Sequence, residues 1–493
     1  MRAIGCYIDG RFSVGRGDII HDVNPANGRV IARVTSADAA QIELAIRSAC
    51  AASTVWRQTP VDFRAGLLGA IADEIDANAD TLAALETDDT GLLLNLTSQG
   101  HVPRAAHCFR YFSALAAEPD QAFPLDGAYL TWVRREPLGV VAVIAPWNAP
   151  LAVAAMNVAA ALALGNCVIL KPSERSPLSS DALAQIIDAL EVPPGVFQVL
   201  QGGADVGRAL AAADGIDGLC FVGGVDAGCE VMAAGARTLK RVTLELGGKS
   251  PTIVFGDCDV DAAVDGALLS AFGSNGEVCA AGSRVLVEQS LYAPFVDALA
   301  SRASCIHVGD PRAASSEMGP LIDTAHLDRV EAMVTAAVAE GARMTNQGGR
   351  VPDSGGAYFG PVVLDRVTPT MRIAQQEVFG PVTAVMPFAD EAEAVAIANG
   401  TRFGLHASIW SSDVARALRL AGQIEVGSVA INAGLIRDIR TPFGGRRLSG
   451  LGRTGGRWSL DAYSEPKAIA LAIDPYPLPR LGRDSLADAE RSL

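Results

Sequence analysis

The chain has 493 residues, of which 49% are hydrophobic, and it carries a net charge of −15 at pH 7. This length exceeds what one hydrophobic core normally supports, which predicts at least two domains. The negative charge argues against a nucleic-acid-binding protein, because such a surface needs a basic patch. Small-molecule chemistry is favoured instead.

The nine cysteines are odd in number, widely scattered and contain no Cys-x-x-Cys pair. Reduced thiols in a cytoplasmic protein fit this pattern better than disulfides or a zinc site. We therefore expect no bound metal. Residues 1–7 also lack the basic-then-apolar pattern of a signal peptide.

The first third of the chain predicts short strands followed by helices. Residues 1–35 alternate apolar and turn residues, which indicates strands around tight turns. Residues 39–90 change to a helical spacing, in which Leu67, Leu68, Ile71 and Ile75 form one face. Residues 128–135 alternate as an exposed hairpin would.

The stretch from Pro137 to Leu170 contains no charged residue, which raises the alternative of a membrane span. The sequence Pro146-Trp147-Asn148-Ala149-Pro150 interrupts it. We therefore predict a buried strand, a loop and a buried helix, and no membrane association.

From Val140 onward the pattern is a repeated strand and helix. Strands are expected at 140–145, 167–170, 197–200, 218–222 and 242–244, and helices lie between them. Strands that are apolar on both faces and joined by helices predict a parallel sheet in a doubly wound, Rossmann-like domain. The alternation restarts after Glu245, with strands at 252–255, 285–287 and 382–385, which predicts a second α/β domain.

A carboxylate and a thiol flank the seam between these two predicted domains. Glu245 begins the sequence Glu245-Leu246-Gly247-Gly248-Lys249, and Cys279 ends Gly276-Glu277-Val278-Cys279. This pairing is typical of a general base opposite a thiol nucleophile, and hence of catalysis through a thioester. The alternative is a buried structural cysteine and a solvated glutamate.

Three further features follow strand ends, where α/β sheets bind ligands. The amide of Asn148 could donate to an oxyanion, and Lys171-Pro172-Ser173-Glu174 could bind a ribose diol while Glu174 repels a 2′-phosphate. Gly202-Gly203 and Gly223-Gly224 precede predicted helices, where a pyrophosphate can bind. Ordinary turn residues remain the alternative for each.

Six motifs together resemble the aldehyde dehydrogenase superfamily over roughly residues 5–472. They are Pro146-Trp147-Asn148, Lys171-Pro172-Ser173-Glu174, Glu245-Leu246-Gly247-Gly248-Lys249, Gly276-Glu277-Val278-Cys279, Glu377-Val378-Phe379-Gly380-Pro381 and Pro442-Phe443-Gly444-Gly445. The resemblance implies an NAD-binding domain at 1–118 and 137–246 and a catalytic domain at 247–448. It also implies oligomerisation strands at 119–136 and 457–474, before a poorly ordered tail at 475–493.

The resemblance also implies roles for individual residues. Cys279 would attack the aldehyde, Asn148 and the backbone N–H of Cys279 would stabilise the oxyanion, and Glu245 would activate water. The implied cofactor is NAD, which Glu174 favours over NADP, although NADP stays possible. Its implied contacts are Trp147, Lys171, Ser173, Glu174, Gly203, Phe221, Gly223, Gly224, Leu246, Glu377 and Phe379.

Four positions depart from the usual family pattern. Glu277 stands where Gln is usual, Gly224 where Ser or Thr is frequent, Arg447 where Lys is usual, and Thr454 where Glu is common. We expect none of the four to touch the nucleophile or the base. Activity is therefore expected, while Gly224 removes a hydroxyl contact to the cofactor pyrophosphate.

The substrate is indicated by two arginine-containing segments, His101-Val102-Pro103-Arg104 and Arg437–Gly445. They resemble the muconic semialdehyde group, and Phe221–Gly224 and Thr238–Val242 resemble its carboxymethyl-hydroxymuconate branch. In that group, arginines matching Arg104 and Arg440 bind the substrate carboxylate, although either could pair with a protein acid.

The predicted reaction is thus the NAD-dependent oxidation of a carboxylate-bearing semialdehyde from aromatic catabolism. A benzaldehyde- or salicylaldehyde-type dehydrogenase is the alternative within the class. A non-catalytic structural or binding relative is the alternative from another class. By resemblance, a homodimer or homotetramer is expected.

Overall fold

A computed structural model of the protein describes residues 1–116, 121–125, 129–434, 436–474 and 481. The tail predicted from residue 475 lies, except for Leu481, outside the described residues, as do residues 119–120 and 126–128 of the predicted bridging segment. Two large sheets with helices packed on them form most of the described chain. The predicted α/β class is confirmed.

The first large sheet has eight strands, and its five central strands are parallel. Val140–Ile144 and Cys167–Lys171 are buried at every position. Except for Lys171 their residues are apolar, as is usual for strands covered by helices on both faces. In spatial order the strands are Gly450–Leu451, Arg241–Leu246, Gly218–Gly223, Val140–Ile144, Cys167–Lys171, Phe197–Val199, Cys6–Ile8 and Arg11–Ser13. The predicted Rossmann-like alternation is therefore observed.

Most helices associated with this sheet come from the first half of the chain. Pro150–Ala163 is buried along its whole length, as its uncharged sequence predicts. No helix in the described part of the chain is long and apolar enough to span a membrane. The helices are Ala39–Trp56, Val61–Ala77, Ala79–Thr90, Leu94–Leu96, Val102–Leu115, Pro150–Ala163, Leu178–Ala189, Ala204–Ala212 and Val225–Ala236, with a π-helical turn at Thr97–His101.

The second large sheet has seven strands, and all its pairings but the first are parallel. Its order is Arg343–Met344, Val362–Asp365, Val382–Phe388, Arg284–Glu288, Pro251–Val254, His406–Trp410 and Ser428–Ile431. Its helices are Val260–Phe272, Tyr292–Ser304, Thr324–Ala339, Arg372–Gln375, Glu391–Asn399 and Val414–Gln423, with a 3₁₀ turn at Gly273–Gly276. Gly450–Leu451 returns to the first sheet after the strands of the second, and the domain division at 246/247 stays a prediction.

A separate antiparallel sheet contains the predicted bridging strands. Ser464–Ala472 pairs along its full length with Tyr129–Pro137, which also pairs with Gln121–Leu125. The prediction of a strand from residue 457 is wrong for the first residues, because Trp458–Tyr463 is a helix. Tyr463, the last residue of this helix, is buried, and its Oη donates a hydrogen bond to Asn157 Oδ1 at 2.7 Å. Oligomerisation through this sheet stays a prediction.

The remaining strands form small sheets at the periphery. The predicted N-terminal strands are present in a three-stranded sheet, ordered Arg2–Ile4, Val30–Thr35 and Ile19–Val23. Two further pairs are Gly349–Arg350 with Phe359–Gly360, and Phe403–Gly404 with Arg446–Arg447.

Candidate active site

A cavity of about 900 Å³ lies where the two large sheets meet. One wall is formed by residues at or just after the carboxyl ends of four parallel strands, the usual ligand-binding edge of an α/β sheet. Cys279, His326, Glu377 and Phe379 line it from the second half of the chain. The cavity therefore spans both predicted domains.

Most of the residues predicted from the sequence line this one cavity. They are Arg104, Trp147, Asn148, Lys171, Ser173, Glu174, Phe221, Gly223, Gly224, Glu245, Leu246, Cys279, Glu377 and Phe379. Gly203 lies beside the wall, as the residue that precedes the helix Ala204–Ala212.

Arg440 is not brought into the cavity. Its side chain is 74% exposed and forms an ion pair with Asp438 at 2.5 Å. Arg437 of the same segment lines the cavity instead, and its guanidinium lies 3.7 Å from the centroid of the Phe443 ring. The predicted placement of Arg440 in the cavity is therefore wrong, and Arg437 is the arginine of this segment that lies there.

The loop that carries Cys279 is fixed by a buried asparagine. Asn275 donates from Nδ2 to the carbonyl of Pro320 at 2.8 Å and accepts from the Gly319 N–H at 2.8 Å. Asn275 has φ of +59° and Gly276 has φ of +71°. A Cβ on Gly276 would approach the Gly380 carbonyl carbon to 2.4 Å, so this turn requires glycine.

Cys279 lies in an environment that favours the neutral thiol. Burial raises its pKa to about 11, while the positive charge of Arg437 opposes the rise. The negative charge of Glu245 adds to it. The thiol is therefore protonated at neutral pH until a positive charge or a proton acceptor approaches it.

Asn148 lies directly against the loop that carries Cys279. Its Nδ2 donates to the carbonyl oxygen of Glu277 at 2.8 Å, and this bond fixes the orientation of the amide. One N–H of the amide is thereby used, and the other is left for an oxygen atom in the cavity.

Glu245 is buried at the penultimate position of the strand Arg241–Leu246 and accepts a hydrogen bond from Thr454 Oγ1. Burial raises the pKa of its carboxyl group, while Thr454, Arg437 and Arg104 oppose the rise. The expectation that none of the four unusual positions touches the nucleophile or the base is therefore wrong for Thr454. A carboxylate with a raised pKa suits general-base work near neutral pH.

The other unusual positions have different surroundings. The buried Glu277 carboxyl accepts from the Ile322 N–H at 2.9 Å, and burial raises its pKa well above the usual range. Arg447 donates to the carbonyls of Asn399 and Thr401, each at 2.8 Å, outside the cavity wall. Gly224 precedes the helix Val225–Ala236 and lines the cavity.

The two glycines after Glu245 make room for other parts of the site. A Cβ on Gly247 would lie 2.1 Å from Glu377 Oε2, and one on Gly248 would lie 2.5 Å from the Cys279 carbonyl oxygen. Glu377 accepts from the Gly248 N–H at 3.0 Å, and burial raises its pKa to about 7. Because neither glycine carries a side chain, the Glu377 carboxylate and the Cys279 backbone can lie directly against this segment.

An aromatic cluster forms another part of the wall. The Trp147 ring packs edge-on against Phe379 and His326, with centroid distances of 5.1 and 5.4 Å. Phe379 has φ of +56°, which is uncommon for a bulky residue. His326 Nε2 lies 2.6 Å from the Phe379 carbonyl, and because a carbonyl only accepts, Nε2 carries the hydrogen.

Sequence reasoning missed several cavity residues: His101, His326, Arg329 and Arg437. The sequence identifies Thr454 only as a departure from the usual family pattern and does not predict its hydrogen bond to Glu245. The two segments resembling the muconic semialdehyde group contain His101 and Arg437, so that signal was available. His326 and Arg329 lie in a helical run with no distinguishing motif.

The arrangement combines a thiol, a buried carboxylate and a fixed amide donor around one space. A thiol and an adjacent base can form and hydrolyse an acyl intermediate. Among the described residues, no group of three His, Cys, Asp or Glu side chains could hold a metal ion.

Comparison with known proteins agrees with this chemistry. Residues 13–469 match the model of the aldehyde dehydrogenase family. The chain is 39% identical to the 5-carboxymethyl-2-hydroxymuconate semialdehyde dehydrogenase of Escherichia coli, over 93% of this chain and 99% of that protein. It is 41% identical to betaine aldehyde dehydrogenase 2 of Rhizobium meliloti, over 95% and 97%.

Solved structures show the same fold. PnpE from Pseudomonas sp. WBC-3, in complex with nicotinamide adenine dinucleotide, superposes with a TM-score of 0.94 at 36% identity. The match covers 98% of this chain and 100% of PnpE. The predicted resemblance and fold are confirmed. The chain belongs to the aldehyde dehydrogenase family and is an NAD(P)-dependent aldehyde oxidoreductase.

Proposed function

We propose that the protein oxidises an aldehyde that carries a carboxylate to the corresponding acid, with NAD as acceptor, through a thioester on Cys279. The observation that carries this proposal is the presence of Arg104 and Arg437 in the cavity that also contains Cys279 and Glu245. The substrate class is a semialdehyde of aromatic meta-cleavage catabolism.

Cys279 is the proposed nucleophile. The thiol first loses its proton to water in the cavity. The thiolate then adds to the carbonyl carbon, and the oxyanion accepts hydrogen bonds from Asn148 and from the Cys279 backbone N–H. Asn148 is already aligned by its bond to the Glu277 carbonyl at 2.8 Å, so little reorganisation is needed. One such donor contributes about 3 kcal/mol to transition-state stabilisation in comparable sites.

Glu245 is the proposed base for hydrolysis. Its carboxylate removes a proton from water as the water oxygen attacks the thioester carbon, and the Cys279 sulfur leaves as thiolate. The bond from Thr454 fixes one carboxylate oxygen. The other oxygen is then the one that accepts the proton.

The cavity fits NAD. A Cβ on Gly224 would meet no protein atom within 4 Å, so open space lies next to the first turn of the helix Val225–Ala236, where free N–H groups attract phosphate. When bound, NAD supplies the acceptor for the aldehyde hydride. The residues proposed to hold it are Trp147, Lys171, Ser173, Glu174, Gly203, Phe221, Gly223, Gly224, Leu246, Glu377 and Phe379.

NAD is proposed over NADP because of the charge beside the ribose position. Lys171 Nζ donates to Glu174 Oε2 at 3.1 Å, so the carboxylate is held at the cavity wall. A 2′-phosphate placed there would be repelled by Glu174, whereas a hydroxyl can donate to it.

Two arginines give the substrate end of the cavity a positive charge. Burial and the nearby Arg437 lower the pKa of Arg104 to about 10, so that it stays charged at neutral pH. Among the described residues Arg104 has no hydrogen-bond partner, which leaves its guanidinium free for a carboxylate. The same charge would repel a cationic betaine aldehyde, and a neutral benzaldehyde would not use it.

Replacing Arg104 with alanine is expected to lower kcat/KM roughly 30-fold or more for a semialdehyde with a carboxylate. The reason is the loss of a charge-assisted pair, which contributes about 2 kcal/mol or more. For neutral benzaldehyde we expect a change within about threefold. Steady-state kinetics with both substrates make the comparison.

Arg440→Ala is the matched control, because this arginine lies outside the cavity. This substitution should leave kcat/KM unchanged for both substrates. Equal losses on the acidic and neutral aldehydes in Arg104→Ala would count against carboxylate recognition. Arg104→Lys keeps the charge without the planar fork and should recover only part of the loss.

Replacing Thr454 with valine is expected to move the acidic limb of the kcat profile to higher pH by about one unit. Thr454 lowers the pKa of Glu245, so its removal raises that pKa, and a higher pH is then needed to ionise the base. One hydrogen bond to a charged group accounts for a shift of this size. Thr454→Ser keeps the hydroxyl and should retain the original profile; an unmoved limb in Thr454→Val would argue against Glu245 as the base.

A further inference from the structure

We propose that His101 is a specificity-determining residue that binds a hydroxyl or enolate oxygen carried next to the substrate carboxylate. This rests on the proposed function, because it assumes that Arg104 takes the carboxylate. It narrows the substrate class to semialdehydes with an oxygen substituent on the carbon beside the carboxylate.

The backbone brings His101 and Arg104 to the same part of the cavity. His101 ends the π-helical turn Thr97–His101, and Arg104 lies three residues later in the helix Val102–Leu115. Residues three apart lie on one helix face, and both side chains line the cavity. Local π-helical turns are frequent at functional sites.

The orientation of the His101 ring is fixed by a buried carboxylate. Nδ1 is hydrogen-bonded to Oε1 of Glu86, which is fully buried, while Glu86 Oε2 accepts from the Leu151 N–H at 3.3 Å. Because a carboxylate only accepts, Nδ1 carries the hydrogen. The carboxylate thus selects the tautomer, as in other carboxylate–histidine pairs.

The other ring nitrogen, Nε2, is the group left for a ligand. It has no hydrogen-bond partner among the described residues, and 12% of the side chain is exposed, at the cavity. A neutral ring accepts a hydrogen from a hydroxyl at Nε2, and a protonated ring donates to an enolate oxygen. Either state therefore recognises the same oxygen position.

These two side chains read adjacent groups on one molecule. The Arg104 fork matches a planar carboxylate, and an imidazole nitrogen one helical turn away matches a single oxygen. A semialdehyde with a bare carboxylate satisfies only the arginine. One with a hydroxyl on the neighbouring carbon satisfies both.

The test compares 2-hydroxymuconate semialdehyde with muconate semialdehyde, which has the same chain and carboxylate without the hydroxyl. In His101→Asn the amide can still donate to Glu86, but nothing replaces Nε2. We expect kcat/KM to fall about tenfold for the hydroxylated substrate, the effect of one lost hydrogen bond, and to change within about twofold for the other. His101→Gln places an amide near the Nε2 position and should recover part of the loss.

A purely structural role for His101, as the partner of Glu86, gives a different result. Both substrates would then lose activity equally in His101→Asn, which overturns the proposal, as does an unchanged preference. Failure of the proposed function is separable, since it appears as equal losses on acidic and neutral aldehydes in Arg104→Ala.

Discussion

Replacement of Cys279 by alanine is expected to abolish aldehyde-dependent NADH formation, with a loss of at least about 10⁴-fold in kcat, as for other nucleophiles that act with a base. In the proposed mechanism the acyl group is carried on this sulfur, so no other side chain in the cavity can substitute for it. Stopped-flow absorbance of NADH should show neither a burst nor a steady rate. Circular dichroism verifies that the variant is folded.

The chain offers a matched control for this variant. Cys229 is exposed and is not part of the cavity wall, so Cys229→Ala should retain full activity. Substantial turnover in Cys279→Ala would mean that the oxidation does not pass through a thioester.

Replacement of Glu245 by glutamine has the second-largest expected effect and a different kinetic form. The first turnover should survive as a burst of NADH, while the steady rate falls by about 10²- to 10⁴-fold, the usual contribution of a general base. The amide is nearly isosteric, and its oxygen can still accept from Thr454 Oγ1. The site should therefore keep its shape while losing only the proton acceptor.

Loss of the burst together with the steady rate would contradict this assignment. It would show that Glu245 is needed before the thioester forms, as the acceptor of the Cys279 proton. Burial raises the pKa of the Cys279 thiol to about 11. The thiol therefore needs a proton acceptor, and this is the main alternative role for Glu245.

Much of the fold was predictable because apolar runs and turn residues alternate regularly. The strand Val140–Ile144 and the helix Pro150–Ala163 are uncharged, and both are buried as predicted. The helix Trp458–Tyr463 was not predicted. This helix is short, and its buried Tyr463 is hydrogen-bonded to Asn157, which is far away in the sequence. No local sequence pattern therefore predicts it.

Site residues could be predicted where the backbone requires particular residue types, because such positions form a recognisable sequence motif. Gly247 and Gly248 are needed because Glu377 and the Cys279 carbonyl approach the chain there, so they accompany Glu245 in the sequence. The Thr454 contact with Glu245 leaves no such motif, because a threonine hydroxyl can serve many purposes.

The arginines show where sequence spacing fails. Arg437 and Arg440 lie in one segment with Asp438 between them, and either could face the cavity. Asp438 pairs with Arg440 two residues later, also through Nε at 2.9 Å. Arg440 forms this ion pair at the surface, whereas the guanidinium of Arg437 stacks on the Phe443 ring. The choice depends on the conformation of the loop and not on its composition.

The central claim is that an acyl group is carried on Cys279, and intact-protein and peptide mass spectrometry test it most directly. Glu245→Gln, quenched in acid after reaction with NAD and a semialdehyde, should gain the mass of one acyl group on the peptide that contains residue 279. The Cys279→Ala, Glu245→Gln double variant should gain none. An unmodified Cys279 peptide at the end of a full NADH burst, or the same adduct in the double variant, would contradict the account.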